Sequence, residues 1–338
     1  MINNIYQLIS PKNIEIKIEE LDLKSCELIV KPRYMSLCHA DQRYYKGDRD
    51  IKVLKKKLPM ALIHECCGEV VWDKEGKIGV GKKVILIPNI PGEQKDGVYE
   101  NYSMGASFLS SGKDGFMREY ISTSYNRVIE FENIDLDLAT IIEFISIGAH
   151  AIERLKKSGL VSKEEIGVWG DGSLAYILAN LLKKEFPESK IIVIGKKQAK
   201  LQHFSFVDQT ILLEELKESF SIDCAFECVG GEGSSYAIDD IIKYIEPQGT
   251  VFLLGVSENK ILFNTRDVLE KGLTFIGCSR SGYNDFKKAI EYLQDDNLKI
   301  RFKTIIHNAG AIRSLEEIHK VFELDLLTEF KTSFEWKC

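Results

Sequence analysis

The chain has 338 residues, 44% hydrophobic and 28% charged, with a formal net charge of −6. That length suits two domains, and the acidic balance excludes non-specific nucleic-acid binding, which needs a basic face. No apolar run approaches the ~18 residues of a membrane span, and the opening MINNIYQLISPKNIEIKIEE lacks the basic start and apolar core of a secretory signal. A cytoplasmic location is therefore expected. The eight cysteines are expected as thiols or metal ligands, not as a disulfide framework.

Short strand-like runs dominate the first 140 residues or so: LIVKPRY (28–34), GEVVW (68–72), KVILIP (83–88) and MREYISTS (117–124). They predict a small, mainly β unit, interrupted by a long loop over roughly 89–115. Within it lie Cys38 in LCHAD and His64 with Glu65 in LIHECCGEV, and Glu143 follows in EFISIGAHA. Thiolate, imidazole and carboxylate are the ligand types of zinc, and a catalytic zinc keeps one position for water or substrate. A lone cysteine is more often a small buried hydrophobe. The signal is the joint occurrence, in this order, ahead of a nucleotide-binding pattern. Cys66 and Cys67 read as core thiols.

From about residue 165 strands alternate with helices: IGVWG (166–170), the helical SLAYILANLLKKEF (173–186), KIIVIG (190–195), AFECVGG (225–231), TVFLLGV (250–256) and LTFIGCS (273–279). This predicts a doubly wound parallel sheet. GDGSLA (170–175) fits G-x-G-x-x-A between strand and helix. Gly170 permits the tight turn, Gly172 lets the backbone approach a pyrophosphate, and Ala175 keeps helix and strand close. The next strand ends at Gly195, where an NAD enzyme usually places an acid for the ribose 2′-OH. Here the stretch reads GKKQAK. Gly195 leaves room for a 2′-phosphate, and Lys196, Lys197 and Lys200 can neutralise it, so NADP(H) is expected over NAD(H). The rest, 285–338, returns to helix and strand, and no repeat or low-complexity tract is present.

These motifs together resemble the zinc-dependent medium-chain dehydrogenase/reductase superfamily, in its polyol branch, where a glutamate replaces the alcohol-dehydrogenase cysteine. The resemblance implies an α/β fold. A GroES-like, mainly β catalytic domain would span 1–145, completed by 285–338, with a Rossmann domain over 146–284. It implies that Cys38, His64 and Glu65 take zinc-ligand positions, with Glu143 as a direct or water-mediated ligand. Asp41 would hydrogen-bond the ligand histidine and fix its tautomer. The loop has no cysteine for the family's structural zinc lobe, so one zinc per subunit is expected. The family's relay hydroxyl is replaced by Ala40, which leaves water, His39 or Tyr44 to move the proton.

Longer runs, among them ADQRYYKGDRD (40–50), KKLPMALIHE (56–65), NTRDVLEKGLTFIGCSRSG (264–282) and FKTSFEWK (330–337), are similar to those of ribitol-5-phosphate dehydrogenases. The similarity covers essentially the whole chain. It implies zinc-assisted, NADPH-dependent reduction of ribulose 5-phosphate, supplying CDP-ribitol for teichoic-acid or capsule synthesis. A sugar phosphate needs a cation beyond the metal. Arg43 is the first choice, because a planar guanidinium can bind two phosphate oxygens. Tyr44, Lys46 and Arg49 stand beside it in sequence, and Arg280 in CSRSG is a further candidate. Backbone at Gly230, Gly231, Gly255 and Val256 is expected to hold the nicotinamide. The family suggests a homodimer or homotetramer joined at sheet edges near 273–279, and a functional pairing with a cytidylyltransferase is open. The alternative readings are a dehydrogenase of unphosphorylated polyols or alcohols, and a non-catalytic nucleotide-binding protein.

Overall fold

The alternation in NIEIKIEE marks a strand, and it forms β2 (Asn13–Glu20), the return leg of a hairpin with β1 (Ile2–Ser10). Pro11 and Lys12 make the turn, with Lys12 at φ 58°. The expectations above did not include this hairpin. The structure is a computed structural model and describes residues 1–159 and 163–338. The chain falls into two units, Met1–Ser146 with Arg280–Cys338, and Ile147–Ser279.

The first unit continues through β3 (Leu28–Leu37), α1 (His39–Lys46), α2 (Ile51–Lys57), β4 (Met60–Ala61), β5 (Glu65–Asp73) and β6 (Lys83–Leu86). Short pieces follow: β7 (Asn89–Ile90), β8 (Ser107–Phe108), β9 (Ile121–Thr123), β10 (Val128–Glu130) and α3 (Leu136–Ala139). Helix α4 (Ile142–Lys157) leads into the second unit. That unit is built from β11 (Glu165–Trp169), α5 (Ser173–Glu185), β12 (Lys190–Gly195), α6 (Gln198–Leu201), β13 (Gln209–Leu212), β14 (Ile222–Glu227), α7 (Gly233–Tyr244), β15 (Ile245–Leu253), α8 (Thr265–Lys271) and β16 (Thr274–Gly277). The chain then closes the first unit with α9 (Tyr283–Tyr292), α10 (Asp296–Lys303), β17 (Ile306–Ile312), α11 (Leu315–Asp325) and β18 (Lys331–Trp336).

Two pairings in the first unit decide where its site lies. Strand β3 runs antiparallel to β5, with Ser36 opposite Glu65. On its other side β3 pairs with β18, with Thr332 opposite Leu37. The C-terminal strand is thereby laid beside the residues that lead into Cys38. The other unit is one parallel sheet in the order β13-β12-β11-β14-β15-β16. Its inner strands are buried on both faces, which is why β12 reads as the unbroken apolar run Ile191–Ile194. Strand order reverses between β11 and β14, and ligands of such sheets bind at the carboxyl ends beside that reversal.

Two boundaries differ from expectation. MREYISTS was expected as a strand, yet only Ile121–Thr123 is one. Residues 117–119 pair with β1 instead, where the Tyr6 N–H donates to the Met117 carbonyl and the Glu119 N–H to the Asn4 carbonyl, both at 2.9 Å. The return to the first unit comes at Arg280 rather than at 285. Ser281 shares a hydroxyl–hydroxyl bond with Ser146 at 2.6 Å, and the Tyr283 N–H donates to Glu100 at 2.8 Å. These bonds tie the segment before α9 to the first unit.

Candidate active site

Cys38 caps the N-terminus of α1, and Asp41 lies in that helix's first turn. The Asp41 carboxylate is fully buried and gathers the local backbone. It accepts N–H bonds from Cys38 (3.2 Å) and Ile63 (3.0 Å) and the Ser110 hydroxyl (2.8 Å). It also lies 3.5 Å from His64 Nδ1, which leaves Nε2 as the ring nitrogen for a metal. Burial raises the Asp41 pKa, but the His64 charge and these hydrogen bonds outweigh it and hold the carboxyl below its usual range. Burial likewise works against charge on His64, and the Asp41 and Cys38 charges override it and raise the imidazole well above its usual value. Ile63 and Ser110 both sit at positive φ, 70° and 61°. For a β-branched residue such a backbone costs roughly 1–2 kcal/mol. It is held by the Asp41 bond on one side and by the Phe116 N–H on the Ile63 carbonyl (2.7 Å) on the other.

The ligand atoms of Cys38, His64 and Glu65 lie within 4.8 Å of one another. Glu65 is nevertheless already engaged. Lys331 Nζ donates to its Oε1 at 2.6 Å and to the Leu37 carbonyl at 2.7 Å, and the Ser36 hydroxyl donates to its Oε2. Both Lys331 and Glu65 are buried. Burial alone would lower the Lys331 pKa, and the Glu65 charge reverses this. Glu143, on α4, is also buried, and its Oε2 has no hydrogen-bond partner. Desolvation pushes its pKa up to about 7, with the neighbouring Glu65 charge adding to the rise and His64 and Lys331 opposing it. The converging thiol, imidazole and Glu65 carboxylate fit a divalent cation, whose charge would oppose this rise at Glu143. Cys66 and Cys67 are buried, and desolvation raises both thiols far from ionisation, as befits core residues.

The other predicted residues of this unit are spread around the cradle. His39 opens α1 with an exposed side chain. Tyr44 is buried under the Arg49 guanidinium, 4.0 Å from its ring centroid, and its hydroxyl has no hydrogen-bond partner. Arg43 is half-buried in the last turn of α1, and Lys46 is spent on Asp48 at 2.6 Å. Arg280 adopts φ 60° and lies 5.2 Å from the Phe108 ring, which packs edge-on against His64 at 5.3 Å. Burial lowers the Arg280 pKa, and it forms no salt bridge among the described residues. Sequence reasoning missed Lys331, Ser36, Phe108 and Ser110, all far in sequence from the residues they serve.

In the second unit Gly170 has φ 133°, a conformation that favours glycine, and its missing side chain faces the Cys228 backbone. A Cβ on Gly172 would meet nothing within 4 Å, so that face is open. Gly172 caps α5 without a side-chain bond, and Ala175 is buried. The helix start therefore offers free N–H groups to an anion. Lys196 and Lys197 are exposed and form no ion pair among the described residues, although their backbone N–H groups both donate to Asp171. At Gly230 and Gly255 the backbone amides are already engaged. Their N–H groups are not available to a nicotinamide, because both donate to the buried Glu227 carboxylate, at 2.9 and 3.0 Å, together with Val229 at 2.9 Å. The Gly231 N–H is likewise taken by the Val256 carbonyl at 3.0 Å, while the Val256 side chain is exposed. What these loops can still present is carbonyl oxygens and apolar surface.

Residues 24–133 match the alcohol dehydrogenase GroES-like domain, and residues 190–295 match the zinc-binding dehydrogenase family. A ribulose-5-phosphate reductase of Streptococcus pneumoniae is 47% identical over 100% of this chain and 98% of its own. The chain belongs to the ribulose-5-phosphate reductases of the zinc-binding dehydrogenase family. Ribulose-5-phosphate reductase 1 of Staphylococcus aureus is 45% identical, covering 99% of both chains. The crystal structure of S. aureus TarJ in complex with NADPH superposes with a TM-score of 0.88 at 42% identity, over 99% of each chain. The resemblance read from the motifs therefore extends through the whole chain, and with it the α/β architecture of a GroES-like and a Rossmann-type domain. No helix among the described residues is long and apolar enough to cross a membrane.

Proposed function

We propose that the chain reduces D-ribulose 5-phosphate to D-ribitol 5-phosphate with NADPH, at the cradle formed by Cys38, His64 and Glu65, with Glu143 as a further carboxylate. The observation that carries this is the convergence of the Cys38, His64 and Glu65 ligand atoms within 4.8 Å of one another. When bound there, zinc supplies Lewis acidity to the ketose carbonyl, and the nicotinamide supplies the hydride.

The chain's own residues bind and orient. Asp41 holds the Cys38 backbone and the His64 ring in place. Glu65 keeps a lone pair on each oxygen beyond its bonds to Ser36 and Lys331 and can still face a metal, and Glu143 has an oxygen with no partner at all. Arg280, linked to His64 through Phe108, is a better phosphate partner than Arg43, because it is half-buried with no counter-charge. Tyr44 is favoured over His39 for the proton, since its hydroxyl is buried and unpartnered. Lys196 and Lys197 favour NADPH. The chain is taken as a cytoplasmic enzyme whose product feeds cytidylyl transfer to CDP-ribitol for teichoic acid or capsule, in functional pairing with a cytidylyltransferase. It is taken as a homodimer or homotetramer joined through β16, an edge strand open to pairing.

The test compares NADPH oxidation with ribulose 5-phosphate, ribulose and small aldehydes, on protein assayed for zinc. A strong preference for the phosphorylated ketose is expected. Equal rates with and without the phosphate would favour an unphosphorylated polyol dehydrogenase. A folded preparation that neither contains zinc nor is activated by it would sink the catalytic reading.

A further inference from the structure

The stretch after β12 contains no acid, yet the fold brings one to it. Asp171 stands between the two glycines of the 170–172 turn, and its Oδ2 accepts the N–H groups of Lys196 at 2.9 Å and Lys197 at 2.8 Å. The approach depends on Gly195. A Cβ there would come 2.8 Å from the Asp171 Cβ and 2.8 Å from Leu201 Cδ2. Gly195 is thus needed to admit Asp171 whether or not it also makes room for a phosphate.

The segment this carboxylate holds, at the end of β12, is where a dinucleotide fold meets the ribose 2′ position, the place at which an acid selects NAD and a cation accommodates NADP. Two opposite consequences are physically open. A carboxylate facing the cofactor would repel a 2′-phosphate and accept a 2′-hydroxyl. A carboxylate whose lone pairs are turned onto the backbone instead locks the loop. The observed bonds favour the second, since the oxygen is shared by two N–H donors from consecutive residues. Those residues, Lys196 and Lys197, carry exposed ammonium groups with no ion pair among the described residues. Without the carboxylate their two N–H groups lose their acceptor, and the segment that bears both cations loses its fixed direction.

We propose that Asp171 is a positioning residue that sets cofactor preference, holding the 195–197 backbone so that Lys196 and Lys197 flank the 2′-phosphate. The inference rests on the NADPH reading above. Its test is the pair of dissociation constants for NADPH and NADH, measured by nicotinamide fluorescence or calorimetry, with thermal unfolding followed in parallel. Asp171→Ala is expected to weaken NADPH by about tenfold, the scale of lost hydrogen bonds to a charged acceptor, and NADH by less than about twofold. Asp171→Asn keeps an acceptor oxygen and is expected to restore most of the NADPH affinity. In a Lys196→Ala/Lys197→Ala background, Asp171→Ala is expected to add nothing further to the NADPH loss, because the aspartate acts through those lysines.

Tighter NADPH binding in both Asp171 variants would overturn the inference in favour of a repelling charge. Equal loss of both cofactors would overturn it in favour of a purely structural role. Where Asp171→Ala unfolds, the Asp171→Asn ratio decides, and a ratio shifted as far as in the lysine variants would refute the positioning role. Wild-type protein that binds NADH as tightly as NADPH would instead overturn the cofactor reading itself.

Discussion

The two units handle negative charge differently. In the metal cradle Glu65 is held by the side chains of Ser36 and Lys331, and one Glu143 oxygen has no partner, while Asp41 takes both side-chain and backbone donors. At the carboxyl end of the parallel sheet, Glu227 and Asp171 face backbone N–H groups, five between them. Side-chain partners can move aside for a cation. Backbone donors cannot leave, so a carboxylate bound to them fixes the path of a loop. The first arrangement leaves a place for charge to enter. The second fixes the shape of the loops that are to receive a cofactor.

Breaking the side-chain arrangement should cost most. His64→Ala removes a ligand, and the loss of zinc and turnover should exceed the about 10–100-fold typical of residues behind a ligand; metal analysis and steady-state rates check it. Lys331→Met leaves Glu65 buried and unpaired, which typically costs about 3–5 kcal/mol. Denaturant unfolding should show that loss in metal-stripped protein and a smaller one with zinc added, because the cation can replace the ammonium. An equal loss in both forms would mean that Glu65 never faces the metal.

Smaller effects should sharpen the contrast. Arg280→Met should raise KM for ribulose 5-phosphate by about tenfold, on the scale of a lost charged hydrogen bond, while unphosphorylated ribulose is unaffected. A matching loss with both substrates would place Arg280 outside the phosphate site. Glu227→Gln turns one acceptor oxygen into a donor, so at least one of the N–H groups of Val229, Gly230 and Gly255 loses its side-chain acceptor, at up to about 1–3 kcal/mol. NADPH and NADH should then weaken together, unlike the selective effect expected at Asp171. Binding titrations of the two variants side by side measure that difference.

How much was legible follows from how local each signal is. The β12 strand, the α5 helix and the glycine turn between β11 and α5 could be read directly, because apolar periodicity and glycine punctuation act within a few residues. The donor types Cys38, His64, Glu65 and Glu143 were also visible. The β1–β2 hairpin was overlooked although NIEIKIEE alternates plainly; a search for period two would have found it. Lys331 left no comparable trace. It lies 266 positions from Glu65, and only the pairing of β18 with β3 brings them together.

By itself, then, the sequence determined the parallel sheet, the pyrophosphate turn, the inventory of metal donors and the family. The tertiary structure decided how each of those donors is held. Glu65 and Glu143 are the same residue type, and only strand register puts Ser36 and Lys331 on one while leaving the other an open oxygen. It also decided that an acid stands at the end of β12 after all. Asp171 precedes Lys196 by 25 positions, and parallel pairing of β11 with β12 sets their carboxyl ends side by side. Hydrogen-bond partners are settled by distance in space, and a list of residue types carries none of that distance.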